Sequence, residues 1–177
     1  VIVSNLASLD GFFETSDKKL DFFVLDEEFF EYAKAMLCAA DTLLFGRATY
    51  EHMASYWPHA PADEIADKMN GLPKIVFSRT LQAVAWNNSR LAKNNLQEEV
   101  SNLKKQPGKD LLVLGSATVA SSLLEAGLVD EYRVILQPVL LGRGNALFKD
   151  IAEKIQLKFM SARALGSGVV LLSYKRA

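Results

Sequence analysis

The hydrophobic period of this sequence switches repeatedly between strand-like and helix-like, and that alternation confines the chain to the α/β class. Apolar runs at Val1–Ala7, Thr42–Gly46, Lys74–Ser78 and Leu111–Leu114 read as buried strands. Between them the period becomes helical. From Asp26 onward, Phe29, Ala33, Leu37 and Ala40 share a face, with acids in the first turn. Arg47–Trp57 places Tyr50, Met53 and Trp57 together, and Pro58 and Pro61 end it. A polar connection then leads to Lys74. Val84–Trp86 predicts a brief strand. Asn95–Lys105 and Ala117–Ala126 are the next helices, and Glu131–Gln137 is a strand stopped by Pro138. Leu157–Ala164 and Val169–Tyr174 flank Gly166-Ser167-Gly168, which predicts a hairpin. The expected architecture is a mostly parallel central sheet, helices on both faces and an antiparallel C-terminal hairpin at one edge. The polar excursion Phe12–Phe23 predicts a mobile loop.

At 177 residues the chain predicts a single domain over 1–177. Lys and Arg number 20 against 21 Asp and Glu, so no basic excess exists to track nucleic-acid phosphates. One cysteine, Cys38, rules out an internal disulfide, and its apolar helical setting predicts a core thiol. His52 and His59 are too few for most metal sites, and no metal is expected. No apolar run approaches the roughly 20 residues of a spanning helix. The opening residues lack a signal-peptide pattern, so the expected location is the cytoplasm.

In parallel sheets, ligands bind beyond the carboxyl ends of the strands. Three strands here end in polar or glycine-bearing steps: Gly46-Arg47-Ala48-Thr49, Ser78-Arg79-Thr80 and Gly115-Ser116-Ala117-Thr118. Glycine lets a bound group approach the backbone, and the next helical turn offers free N–H groups to an anion. Arg47 and Arg79 add two cations. Glycine at such a place also serves a plain tight turn, but three steps at equivalent strand ends favour a dinucleotide. Ser78-Arg79 suits a 2′-phosphate, because an acid would be expected beside a bare ribose. The Gly-x-Gly-x-x-Gly fingerprint and the P-loop are both absent. Gly142-Arg143-Gly144 follows Pro138 without opening a helix and predicts a structural turn.

Ser8-Leu9-Asp10-Gly11-Phe12, Asp41 to Glu51, Lys74 to Arg79, Leu114-Gly115-Ser116-Ala117 and Pro138 to Gly144 with Leu147-Phe148, in that order, resemble the riboflavin-biosynthesis-reductase C-terminal-like family. The resemblance covers nearly the whole chain. It implies the three-layer dihydrofolate-reductase-like fold, NADPH as cofactor and a homodimer. Carried over residue by residue, it puts Gly46, Arg47 and Thr49 at the pyrophosphate and Ser78 and Arg79 at the adenosine 2′-phosphate. Gly115, Ser116, Ala117 and Thr118 fall near the nicotinamide and pyrophosphate, and Ala7 on the strand whose backbone meets the nicotinamide amide. Two departures stand out. Gly115-Ser116 occupies the place of a paired glycine, and the deaminase zinc motif is missing, which implies a stand-alone reductase-like domain.

The expected activity is reduction of a small flat nitrogen heterocycle, a pterin or aminopyrimidine. Asp10 is the first candidate to orient or protonate the substrate and Asp21 the second. Asp10 reads equally well as a turn aspartate, and Asp26 reads as a helix-start residue. Phe12, Phe13, Phe22 and Phe23 are candidates to cover a flat ring. Two rival readings keep the same sequence features: a dinucleotide-binding protein without turnover, and a structural protein whose glycines serve only turns.

Overall fold

The computed structural model describes residues 1–148 and 151–177. Its strands are β1 (Ile2–Ser8), β2 (Phe12–Glu14), β3 (Ala40–Gly46), β4 (Lys74–Phe77), β5 (Ser89–Leu91), β6 (Asp110–Leu114), β7 (Glu131–Gln137), β8 (Asn145–Ala146), β9 (Leu157–Ala164) and β10 (Val170–Arg176). Its α-helices are α1 (Glu27–Ala39), α2 (Arg47–Tyr56), α3 (Glu64–Gly71), α4 (Leu96–Lys104) and α5 (Ala117–Glu125). Eight strands form one sheet in the order β5-β4-β3-β6-β1-β7-β10-β9. Neighbours from β5 through β7 are parallel. β10 runs antiparallel to both β7 and β9, so the final hairpin forms one edge.

Alternation along each strand sorts side chains onto two faces. On one face Val3, Leu44, Ile75 and Val113 pack against Val100 of α4 and Val119 and Leu123 of α5. On the other, Ile2, Leu43, Phe45, Val76 and Leu112 pack against Met36 and Leu37 of α1, Tyr50 of α2 and Met69 of α3. The continuous apolar runs are therefore strands covered on both sides, and the layers are helix, sheet, helix. Beneath the β10 end, Ile135, Leu165, Val169 and Leu171 pack against Leu6, Phe29 and Tyr32.

Four expectations need correction. The polar connection before Lys74 contains α3, capped by the Asp63 side chain, which accepts from Ala66 N–H at 2.7 Å. The brief strand is β5, and Val84–Trp86 is irregular. Tyr50 hydroxyl accepts the backbone N–H groups of both Ala85 and Trp86 at 3.0 Å, which takes those donors away from any sheet ladder. The expected loop 12–23 contains β2, which pairs with β8 in a small separate ribbon. Cys38, expected in the core, is exposed on α1.

Candidate functional site at the carboxyl ends of the strands

The sheet order makes β4, β3, β6 and β1 consecutive, so the steps after Phe77, Gly46 and Leu114 lie side by side on one rim. Gly46 is in register with Phe77, and Gly115 N–H donates to Ser4 C=O at 3.1 Å. The turns after β3 and β6 interlock. A Cβ on Gly46 would overlap Ser116 Oγ and lie 3.3 Å from Val119 Cγ2, so any larger residue there requires the Ser116 hydroxyl to turn away. A Cβ on Gly115 would lie 3.4 Å from Thr49 Cγ2. Gly115 has φ +64° and Ser116 φ +56°, two successive left-handed residues. Glycine adopts that geometry freely, whereas serine bears a cost on the order of 1 kcal/mol.

The two helices that start here differ from the rest. α1, α3 and α4 begin with Asp26, Asp63 and Asn95, whose side chains accept N–H groups of the first turn. α2 and α5 begin at Gly46 and Ser116 with no side-chain cap. Their first-turn donors, which include those of Arg47, Thr49, Ala117 and Thr118, are open to an anion, and both helix dipoles favour one. Arg47 and Arg79 are exposed and, among the described residues, form no ion pair. Ser78 Oγ accepts from Thr80 N–H at 3.1 Å and from Leu81 N–H at 3.0 Å, which fixes the turn that carries Arg79. The structure thus brings Gly46, Arg47, Thr49, Ser78, Arg79 and Gly115 to Thr118 to one rim.

β1 supplies the floor. It pairs with β7 along Ile2–Ser8 but with β6 only along Ile2–Ser4. Past Ser4 its β6-facing edge is free of strand partners. Ser4 C=O faces β6, while Leu9 N–H donates to Val139 C=O beyond β7 at 2.9 Å. Alternation therefore turns the peptide groups of Ala7 toward β7 and those of Leu6 toward the opening. Ala7, expected at the nicotinamide contact, thus turns its peptide groups to β7, and its fully buried methyl joins the core.

The candidate acids occupy different places. Asp10 Oδ1 accepts from Ser8 Oγ at 2.7 Å and Leu141 N–H at 3.1 Å, and Oδ2 accepts from Gly142 N–H at 2.7 Å. The Ser8 bond, helped by the two backbone donors, holds its carboxyl below the usual range, so it is a carboxylate at neutral pH. These contacts are those of a turn aspartate, one of its two readings. Asp10 also occupies the Gly142 N–H, one of the donors through which the Gly142–Gly144 loop could hold a phosphate. Asp21 is exposed on the turn before Phe22. Asp26 is the α1 cap. Phe22 and Phe23 pack edge to face at 4.6 Å within the segment leading to α1, while Phe13 packs on the core.

Gln137 is a residue the sequence reading missed. It is 1% exposed at the end of β7, and its Oε1 accepts Val24 N–H at 2.7 Å. A glutamine as the last residue of an apolar strand is the only signal the sequence offers. Two concavities lie off the rim. One of about 260 Å³ is at the opposite end of the strands near Asp41 and Asp130, and one of about 460 Å³ lies between α2 and Val84–Trp86. Among the described residues, no cluster of His, Cys, Asp and Glu could hold a metal ion, and no helix is long and apolar enough to cross a membrane.

A mostly parallel sheet of this order, with its open turns at the carboxyl ends, is the dihydrofolate-reductase-like fold. Dihydrofolate reductase from Enterococcus faecalis, complexed with NADP(H), superimposes with a TM-score of 0.67 over 99% of this chain and 95% of that one at 15% identity. The RibD C-terminal domain model matches residues 1–171, and the chain belongs to that family. The uncharacterized protein YyaP of Bacillus subtilis (strain 168) is 33% identical over 98% of this chain and 93% of its own length. A Thermotoga maritima diaminohydroxyphosphoribosylaminopyrimidine deaminase/5-amino-6-(5-phosphoribosylamino)uracil reductase superimposes with a TM-score of 0.69 at 14% identity. The match covers 99% of this chain and 56% of that one, so this chain spans about half its length.

Proposed function

We propose that this protein is an NADPH-dependent reductase of a small flat nitrogen heterocycle of the pterin or aminopyrimidine type. The observation that carries the proposal is the pair of uncapped helix starts, α2 and α5, side by side on one rim with unpaired Arg47 and Arg79. The residues fit a dinucleotide. Gly46 and Gly115 leave the backbone bare where a pyrophosphate would approach, and the first turns of α2 and α5 would donate to it. Arg79, on its Ser78-anchored turn, would hold the adenosine 2′-phosphate. Leu6 would meet the nicotinamide amide through its backbone. NADPH, when bound, supplies a hydride to the substrate.

The protein's part is binding and orientation. An ionised Asp10 holds the 141–142 loop against the end of β1 and has no proton to transfer. That observation favours a second reading, a dinucleotide-binding protein of the same fold without turnover. NADPH oxidation across a panel of pterins and aminopyrimidines separates the two. A cytoplasmic single-domain homodimer completes the proposal, with the exposed β9 as the pairing edge.

The direct test titrates NADPH and NADH into the wild type and an Arg79→Ala variant, followed by the fluorescence of Trp57 and Trp86 and by calorimetry. Wild type should prefer NADPH. The variant should lose about tenfold or more for NADPH and little for NADH, as expected for one charge-assisted contact of about 1.5–3 kcal/mol. Equal NADPH affinity in both proteins would remove the 2′-phosphate assignment.

A further inference from the structure

Gln137 holds a buried donor that the fold does not use. Its register partner is Ser8, the last residue of β1. Alternation places its side chain on the same face as Ile135, which packs with Leu6, Phe29 and Tyr32. That is the α1 side of the sheet, beside the stretch of β1 whose far edge lies open. The bond from Val24 N–H to Oε1 fixes which end of the amide is which, because only the oxygen can accept it. Nε2 is left buried, with no hydrogen-bond partner among the described residues. A buried amide donor without a partner is costly, and Ile135 on the same face shows that packing here needs no polar group.

The same amide is met by a distinctive piece of chain. Val24 lies in the segment between Asp21 and the helix cap Asp26, and its side chain and that of Leu25 are exposed. One backbone hydrogen bond therefore joins this segment to the end of β7. For an incoming acceptor to reach Nε2, residues 21–25 would have to shift, and the acceptor would then supply the partner that the amide lacks.

We propose that Gln137 is a specificity-determining residue whose Nε2 donates to a ring carbonyl oxygen of the bound heterocycle. The protein would then select oxo-heterocycles over their amino counterparts. This rests on the reductase reading of the site and adds the chemical feature by which the substrate is recognised. Nε2 can only donate, so a carbonyl satisfies it and an exocyclic amino group faces it as a second donor.

The test measures binding of lumazine, a pteridine-2,4-dione, and of 2,4-diaminopteridine to the NADPH-loaded protein by calorimetry, with NADPH affinity measured separately. Wild type should hold lumazine about tenfold or more tightly than the diamine. Gln137→Met should abolish that preference, and Gln137→Glu, which offers oxygens instead of the N–H₂, should reverse it. A merely structural Gln137 would weaken both ligands equally and leave their ratio unchanged. An unchanged ratio in both variants, or no binding of either pteridine at millimolar concentration, overturns the proposal. If Gln137→Met fails to fold, the near-isosteric glutamate variant decides alone. Loss of NADPH binding with the pteridine preference intact would count against the cofactor reading and not against Gln137.

Discussion

Ser116 and Asp10 show how single residues set the rim. Ser116 takes a left-handed conformation directly after Gly115, and its hydroxyl fills the space a Cβ on Gly46 would need. Ser116→Gly relieves the backbone cost of about 1 kcal/mol but gives the unfolded chain more freedom, so the expected net gain in chemical denaturation is no more than about 0.5 kcal/mol. Asp10 works through its charge. Its folded pKa lies below the usual aspartate value of about 3.9, so its contribution is complete above that value and is lost as pH falls through the folded one. Asp10→Asn should lower the melting temperature at pH 7, and the gap from wild type should close on acidification toward pH 2. A gap of constant size across that range would show that the charge is irrelevant. The sequence presents Asp-Gly after a strand, which suits a turn and a catalyst equally. The contacts with Ser8, Leu141 and Gly142 suit the turn, and Leu141 and Gly142 are more than a hundred residues away.

Elements were legible in proportion to how far their own residues determined them. β1, β3, β4 and β6 are continuous apolar runs because both faces of the sheet are covered, and their glycine- or serine-bearing ends located the rim. α3 was not legible: only Ala66 and Met69 are buried in its eight residues. β5 is equally obscure, since Tyr50, from 35 residues earlier, claims the donors of the more apolar Val84–Trp86 segment. Which peptide groups of β1 face the opening is a matter of strand parity, set by which neighbour Ser4 faces, and a lone strand carries no such information. β9 makes its own prediction. Phe159 and Met160 are exposed on an eight-residue edge strand without proline, an arrangement that isolated monomers usually avoid. Light scattering should find a dimer in the wild type and a monomer for Phe159→Lys with Met160→Lys. A monomeric wild type would end the homodimer proposal.

At the scale of the whole molecule, the two helix layers leave one end of the sheet to turns and the other to structural packing. Lys74 illustrates the second end. It is 1% exposed, and its Nζ donates to the carbonyls of Asn70, Leu72 and Asn87 at 2.8–3.0 Å while lying 4.4 Å from the Trp86 ring centre. A ligand seated across β4, β3, β6 and β1 bridges four strands and two helices, so its binding energy should stabilise the protein globally. NADPH at a hundred times its dissociation constant should add about 2.7 kcal/mol, which raises the melting temperature by roughly 5–10 °C for a chain of this size. NADH at the same concentration should raise it less. Equal shifts would again count against the 2′-phosphate reading.

The margins of the main sheet are unequal. One is β5, three residues long, with Arg90 paired to Glu99 at 2.5 Å; the other is β9, eight residues long and exposed along almost its whole length. A sheet with a single usable margin can be doubled but not propagated. When two copies join through β9, each presents only its short β5 margin outward, and growth stops there. Fibre formation needs a second open edge, so the brevity of β5 is a safeguard against runaway assembly that requires no residue dedicated to it.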